Sequence, residues 1–374
     1  MAQVPAGSRH LQVYHDYFAI RGGGERLVLE LANAISAELI YGYRTAESYD
    51  EAAFPPAHKD LNLSGIRKVR GAASIALSTA FAQQRGHAAQ ADLRIYSGVA
   101  APFAAPARDK PGVNVFYCHT PPRFLYDQKA FFREQSGPLR KLGLDVVGPL
   151  FQRAYEHAVE RMHVIVANSV NIQKRIREHL GRESIVVYPP VDTSGFAWEP
   201  QQGYYLSTAR LTPLKRIATI IDAFIAMPDK RLIIASGGDQ EAELRARAAG
   251  AANIEFAGWT SDEQLRGLIA GAIATIYIPV EEDFGMSPVE SMAAGKPVIG
   301  VAEGGLLETV LPEQTGVLLP PAPSASDLIG AINSLPPERA LAMRPACETQ
   351  ALKFGRAQFI HSMRAVIDQA LARS

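Results

Sequence analysis

A chain of 374 residues exceeds the roughly 250 to 300 at which a single core stops growing, so two cores are expected. Its 47% hydrophobic and 20% charged residues exclude the disordered and fibrous classes. Net charge is zero, but residues 1–195 hold 23 Lys and Arg against 18 Asp and Glu, leaving 15 against 20 beyond, so a +5 half precedes a −5 half. That excess is too small to indicate nucleic acid; it can favour an acidic partner such as a phospholipid surface or a lipid diphosphate, or be a chance asymmetry.

Short β-branched or aromatic runs alternate with amphipathic stretches along the chain, the pattern of parallel βαβ units. In the first half, strands are predicted at Leu11 to Tyr14, Leu93 to Tyr96, Val113 to Tyr117, His163 to Ala167 and Ser184 to Tyr188. A helix is predicted from Gly24 through Leu27, Val28, Leu31, Ala32 and Ile35, at spacings of three and four. Three prolines and two glycines between Pro189 and Gly203, without apolar periodicity, read as a linker. The alternation resumes at Tyr204 to Ser207, Arg231 to Ala235, Asn253 to Phe256, Ala274 to Ile278, Pro297 to Val301 and Val317 to Leu319. The expected fold is α/β, with two doubly wound Rossmann-like domains.

Cys118 and Cys347 have neither disulfide-framework nor metal-type spacing, which fits a reducing compartment. The opening MAQVPAGSRHL lacks a basic-then-apolar secretory pattern, and no apolar run reaches the ~20 residues that span a bilayer. A cytoplasmic location with peripheral membrane contact is therefore expected. Cations and apolar residues mix between Arg123 and Arg161: Phe124, Leu125, Phe131, Phe132, Leu139, Leu142 and Leu144 lie among Lys129, Arg133, Arg140, Lys141 and Arg153. Such a surface can dock on anionic lipid, and the same apolar residues can equally be core.

Ligands of open α/β sheets sit beyond the carboxyl ends of the strands, so residues just after the strands carry the functional reading. Gly22-Gly23-Gly24 opens a helix where backbone amides can receive a phosphate or simply turn the chain; it lacks the spacing of a nicotinamide-binding loop. His119 follows the third predicted strand in Cys118-His119-Thr120-Pro121-Pro122-Arg123, held by a double proline. Asn168 and Ser169 are explained by helix capping. Arg210 and Lys215 follow Tyr204 to Ser207; they can meet one anionic group or be solvated cations. Ser236, Gly237 and Gly238, with the end of the Asn253 to Phe256 strand, are the expected surroundings of a nucleobase. Glu282-Asp283-Phe284-Gly285-Met286-Ser287-Pro288-Val289-Glu290 opens a helix whose amides and carboxylates can hold hydroxyls or phosphate. Ser287, Pro288 and Glu290 also fit a capping box. Gly304 and Gly305, with Glu303 and Glu308, form a further turn after a strand.

The two glutamates Glu282 and Glu290, with seven residues between them and Phe284-Gly285 after the first, resemble the hallmark of the family 4 retaining glycosyltransferases of GT-B fold. Met292-Ala293-Ala294-Gly295-Lys296-Pro297 continues the resemblance, and His119-Thr120-Pro121-Pro122-Arg123 is similar to a segment of bacterial polysaccharide mannosyltransferases in that family. Ala209 departs from the pattern, standing where glycine commonly precedes the arginine. The resemblance implies two Rossmann-like domains facing a central cleft: an acceptor-side domain over residues 1–192, a nucleotide-sugar domain over 204–350, and a final helix from about Ala351 to Ala372 crossing back. It implies Arg210 and Lys215 on the donor diphosphate and Glu290 on the ribose. Glu282 with the amides of Phe284, Gly285 and Met286 would hold the donor sugar, His119 would touch that sugar, and Gly22 and Gly23 would lie near the donor phosphate. It further implies transfer of mannose from GDP-mannose to a lipid-linked glycan in bacterial polysaccharide synthesis, without a metal ion or other cofactor. A sugar-nucleotide epimerase on the same fold and a non-catalytic sugar-nucleotide sensor are the competing readings.

Overall fold

The computed structural model describes residues 9–65 and 73–373; the Met1 to Ser8 stretch of the opening sequence lies outside them. Pro190–Phe359 form one compact unit, and the chain up to Pro189 together with that from Ile360 forms the other.

The first unit holds strands β1 (Leu11–His15), β2 (Glu38–Tyr41), β3 (His58–Asp60), β4 (Leu93–Ser97), β5 (Val113–Cys118), β6 (Val164–Ala167) and β7 (Ile185–Val186). They pair in the order β3-β2-β1-β4-β5-β6-β7, every pairing parallel. All residues of β4 and β5 are buried, as in a sheet covered on both faces. The topology grows outward in both directions from the β1/β4 pair, which makes the carboxyl ends of these two strands the switch point where such sheets bind ligands.

The second unit repeats the design with β8 (Tyr204–Ser207), β9 (Arg231–Ile234), β10 (Ile254–Phe256), β11 (Thr275–Tyr277), β12 (Val298–Val301) and β13 (Gly316–Leu319). The parallel order β10-β9-β8-β11-β12-β13 puts its switch point between β8 and β11. Both chemistry-bearing segments of this half, 208–216 and 278–290, therefore begin at that point.

Two strands escape the sequence reading. Ile35 and Leu39 continue the three-and-four spacing of Leu27 to Ile35, so periodicity runs the helix on into β2. The helix Gly23–Ala34 in fact ends there, with Ser36 in the left-handed region at φ 52°. The β3 strand reads His-Lys-Asp at the sheet edge and carries no apolar signal.

The stretch from Pro189 to Gly203, read as a linker, is fixed to the second unit. The amide of Val191 donates to the Phe354 carbonyl at 2.9 Å. Two cations lie over the Trp198 ring, the Lys296 Nζ at 5.0 Å and the Arg344 guanidinium at 4.4 Å from its centroid. Lys296 is buried and donates to the Glu199 carbonyl at 2.7 Å. Burial, with Arg344 nearby, pushes its pKa down to about 8. At the chain end, Arg344–Leu352 is a helix of its own, and the final helix Arg356–Ala372 starts later than the sequence pattern suggested. That helix begins in the second unit and ends in the first, where Arg364 donates to the Ala34 carbonyl at 2.8 Å.

Removing the indole takes both cation–π contacts with it. Trp198→Ala is expected to destabilise the second unit by about 2 kcal/mol, read as a lower melting temperature. It should also open residues 190–203 to limited proteolysis, which the parent resists.

Candidate active site

In the second unit, the loop after β8 closes with a short 3₁₀ turn, Pro213–Lys215, before the helix Ile217–Ile225. Lys215 Nζ donates to Glu282 Oε2 at 2.5 Å and to the Tyr277 hydroxyl at 2.8 Å, and that hydroxyl donates to the same Glu282 oxygen at 2.8 Å. A cation, a phenol and a carboxylate thus close a triangle at the switch point. Burial, reinforced by the negative field of Glu282 and then of Glu290, raises the Tyr277 pKa well above its ordinary value, so the phenol stays a neutral donor. An ammonium has three donors, and this triangle uses two of them.

Arg216, the residue after Lys215, has a left-handed backbone, φ 52°. Its guanidinium donates to Glu303 at 2.9 and 3.2 Å and to the carbonyls of Ile278 and Pro279 at 3.2 and 3.1 Å. Glu303 also accepts from the amides of Ala322 at 2.7 Å and Glu281 at 3.2 Å. Burial opposes ionisation of Glu303, but these amides and the guanidinium outweigh it and hold the pKa below the usual carboxylate range. Glu303, read from sequence as part of a turn after a strand, is therefore a buried brace of the loops after β8, β11 and β12. The neighbouring Gly304 has φ 56°, and a side chain there would collide with the Glu282 backbone. Gly305 N donates to the Glu282 carbonyl at 2.8 Å.

The helix Met286–Ala293 begins after Gly285, which is its N-cap at φ 90°. No side chain caps it, so the capping box of Ser287, Pro288 and Glu290 does not form. Those residues lie inside the helix, because the left-handed glycine starts it two residues earlier than that box requires. The amides of Gly285, Met286 and Ser287 make no hydrogen bond among the described residues, as the first turn of a helix dictates. They sit three to five residues before Glu290, beside buried Phe284. Arg210 is exposed and makes no side-chain hydrogen bond or ion pair among the described residues, so no contact in the structure joins it to the Lys215 triangle. Ala209 is buried, and a side chain at Gly237 would run into the indole of Trp259, which is 72% exposed.

In the first unit, Gly22 is the N-cap of Gly23–Ala34, and its carbonyl accepts from the Tyr49 hydroxyl at 3.1 Å. The space a side chain at Gly22 would take is filled by the Glu25 carboxylate, which supplies negative charge to this helix start from within the chain. Gly24 is the glycine that approaches His119: a Cβ there would lie 3.5 Å from the imidazole Cε1. His119 Nε2 meets the Ser97 hydroxyl at 2.8 Å. Burial lowers the His119 pKa to about 4, so the ring is neutral at pH 7. Its loop is braced by Arg175, which donates to Thr120 Oγ1 and to Asp127 Oδ1, both at 2.8 Å. Ser169 caps the helix Val170–Leu180, accepting from the Ile172 amide at 3.0 Å. Cys118 and Cys347 are free and buried.

Sequence reading passed over Tyr277, Arg216, Ser97 and Arg175. A tyrosine within an otherwise aliphatic strand is the one signal that could have marked Tyr277.

The Arg216–Glu303 pair yields a stability prediction with a definite pH sign. Glu303→Ala leaves the half-buried guanidinium with only its two carbonyl partners and is expected to cost about 1.5 to 3 kcal/mol, read as a lower melting temperature. Since the folded pKa of Glu303 lies below its unfolded value, the stabilisation is complete at neutral pH and is lost as pH falls through the folded value. Glu303→Gln should therefore lose less melting temperature than the parent between about pH 5 and pH 3.

Residues 190–351 match the family model described as glycosyl transferases group 1. The alpha-1,3/1,6-mannosyltransferase ALG2 of Dictyostelium discoideum is 26% identical over 266 residues, 59% of this chain and 61% of that one. A GDP-mannose-dependent alpha-(1-6)-phosphatidylinositol dimannoside mannosyltransferase of Mycobacterium tuberculosis is 33% identical over 116 residues, 30% of each chain. This chain thus aligns with less than two thirds of the length of these relatives. Among solved structures, Anabaena HepE in complex with UDP-glucose superposes with a TM-score of 0.74 at 18% identity, covering 96% of this chain and 99% of that one. The two parallel-sheet Rossmann-like units have the GT-B fold, and within the second of them residues 190–351 match the glycosyl transferases group 1 family.

Proposed function

We propose that this chain is a retaining mannosyltransferase that moves mannose from GDP-mannose to a lipid-linked glycan of bacterial polysaccharide synthesis, without a metal ion. The observation that carries the reading is the triangle of Lys215, Tyr277 and Glu282, set at a switch point beside the amides of Gly285, Met286 and Ser287. Lys215 offers a further donor to a departing diphosphate, and exposed Arg210 offers a second cation on the same loop. Glu282 and the helix amides receive sugar hydroxyls, and Glu290 receives the ribose. In the first unit, His119 contacts the donor sugar, while Gly22 and Gly23 present the helix start to phosphate, where the ligand would have to displace Glu25.

In this reading, the bond from the anomeric carbon to the phosphate oxygen breaks as the acceptor oxygen bonds the same face of that carbon. The acceptor's proton passes to the departing phosphate. Negative charge on the diphosphate grows along this path, so fixed cations stabilise the transition state more than the ground state.

Radiolabelled GDP-mannose and a lipid-linked mannosyl acceptor test the reaction. Transfer is expected to survive EDTA. Lys215→Ala should lower kcat and kcat/KM together by about a hundredfold or more, and Glu290→Gln should chiefly raise KM. Isomerised sugar nucleotide without transfer would instead identify an epimerase, and donor binding without turnover a sensor. Activity lost with EDTA and restored by magnesium or manganese would contradict the role given to the cations.

Docking on anionic lipid is part of the same proposal, with a revised surface. Leu125 is buried, and Phe124, Phe131, Phe132 and Leu144 are half-buried; the side chains of Leu139 and Arg140 lie outside those described. The apolar face is instead supplied by Leu142, Val146 and Leu150, 61%, 59% and 63% exposed, at four-residue spacing along the helices Pro138–Val146 and Gly148–Glu160. Exposed Lys129 and Arg153 add positive charge to the segment, and no helix among the described residues is long and apolar enough to cross a membrane. The parent is expected to sediment with phosphatidylglycerol-containing liposomes at low salt and to dissociate at high salt. Leu142→Glu with Leu150→Glu should abolish sedimentation, and a parent that stays in solution would exclude docking through this face.

A further inference from the structure

The carboxyl ends of β1, β4 and β5 bring His15, Ser97 and His119 into one line. Ser97 Oγ lies 3.1 Å from His15 Nδ1 and 2.8 Å from His119 Nε2, and both His15 and Ser97 are buried. The loop that follows Ser97 is fixed as well: the Asp16 carboxylate accepts from the amides of Val99, Ala100 and Ala101 at 2.7 to 2.8 Å. Ser97 therefore has little room to move away from either ring.

A hydroxyl has one hydrogen and can donate it to only one of the two rings; toward the other it must accept. His15 and His119 are both neutral at pH 7, because burial lowers their pKa values to about 3 and about 4. Each ring then carries one N–H, and the direction of the Ser97 hydroxyl fixes both tautomers. The two contact lengths set that direction. The 2.8 Å contact to His119 has the length of a hydroxyl donating, while the 3.1 Å contact to His15 has that of a ring N–H donating to oxygen.

We propose that Ser97, oriented by His15, is a positioning residue that locks His119 in the tautomer with hydrogen on Nδ1. His119 Nδ1 has no hydrogen-bond partner among the described residues. In this tautomer it is an uncharged donor aimed at a ligand oxygen, and its other nitrogen is already occupied. His119 is then unsuited to act as a base toward the acceptor and suited to hold a hydroxyl of the bound sugar. That last step rests on the mannosyltransferase reading, whereas the tautomer itself does not.

The experiment is a long-range ¹H–¹⁵N correlation spectrum of the full chain at pH 7, labelled on histidine nitrogens and free of ligand. The expected parent pattern for His119 is a protonated Nδ1 and an unprotonated Nε2. Ser97→Ala should mix or reverse the pattern, and Ser97→Thr, which keeps the hydroxyl, should preserve it. A parent His119 with hydrogen on Nε2, or a pattern unmoved in a folded Ser97→Ala protein, would overturn the proposal; the parent spectrum decides the tautomer even if that variant fails to fold. In transfer assays, Ser97→Ala should reduce kcat by about tenfold or more, with recovery in Ser97→Thr. The expected tautomer in a parent without mannosyl transfer would leave the inference standing and remove the functional reading instead.

Discussion

The ion pair of Arg216 with buried Glu303 is the interaction on which the second unit's site depends. A parallel sheet delivers every strand to the same edge, but it does not fix the loops that leave that edge. Here one guanidinium reaches carbonyls after β11 and a carboxylate after β12, while its own backbone ends the loop after β8. The Val280 amide, bonded to the Leu214 carbonyl at 2.8 Å, and the Gly304 turn against Glu282 complete the frame. Lys215 and Glu282 are the residues immediately beside this frame, so their 2.5 Å contact follows from backbone positions set by their neighbours.

The first unit uses the same device with different residues. Asp16, at the end of β1, takes three amides of the loop after β4, and Arg175 ties Thr120 to Asp127 around the double proline. In both units a buried charge satisfies the backbone of an adjacent loop and holds a functional side chain next to it. Such charges are costly to bury alone and strongly placed once paired, which suits positions where a site needs a single geometry.

Much of this was legible in the sequence. The alternation of strands and helices locates both sheets because buried parallel strands read as continuous apolar runs, and β8 falls on the predicted residues Tyr204 to Ser207. Glu282, Phe284, Gly285 and Glu290 are singled out by their place after a strand and by a family resemblance in their spacing. Less legible are features made by contact rather than pattern. β2 is hidden because Ile35 and Leu39 keep helical spacing across a left-handed Ser36. The helix at Met286 starts at a glycine instead of the capping box its sequence contains, since a positive φ at Gly285 leaves no mark on periodicity. Arg216, Glu303 and Ser97 act through partners 87 and 22 residues away, distances at which a single sequence offers no signal.

The central claim is that the β8/β11 edge of the second unit binds the diphosphate of a sugar nucleotide through Lys215. Calorimetric titration of GDP into the full chain and into a Lys215→Met variant of unchanged melting temperature tests it most directly. The account predicts saturable binding at one site in the parent, weakened about tenfold or more by the substitution. Equal affinity in the two proteins would contradict it.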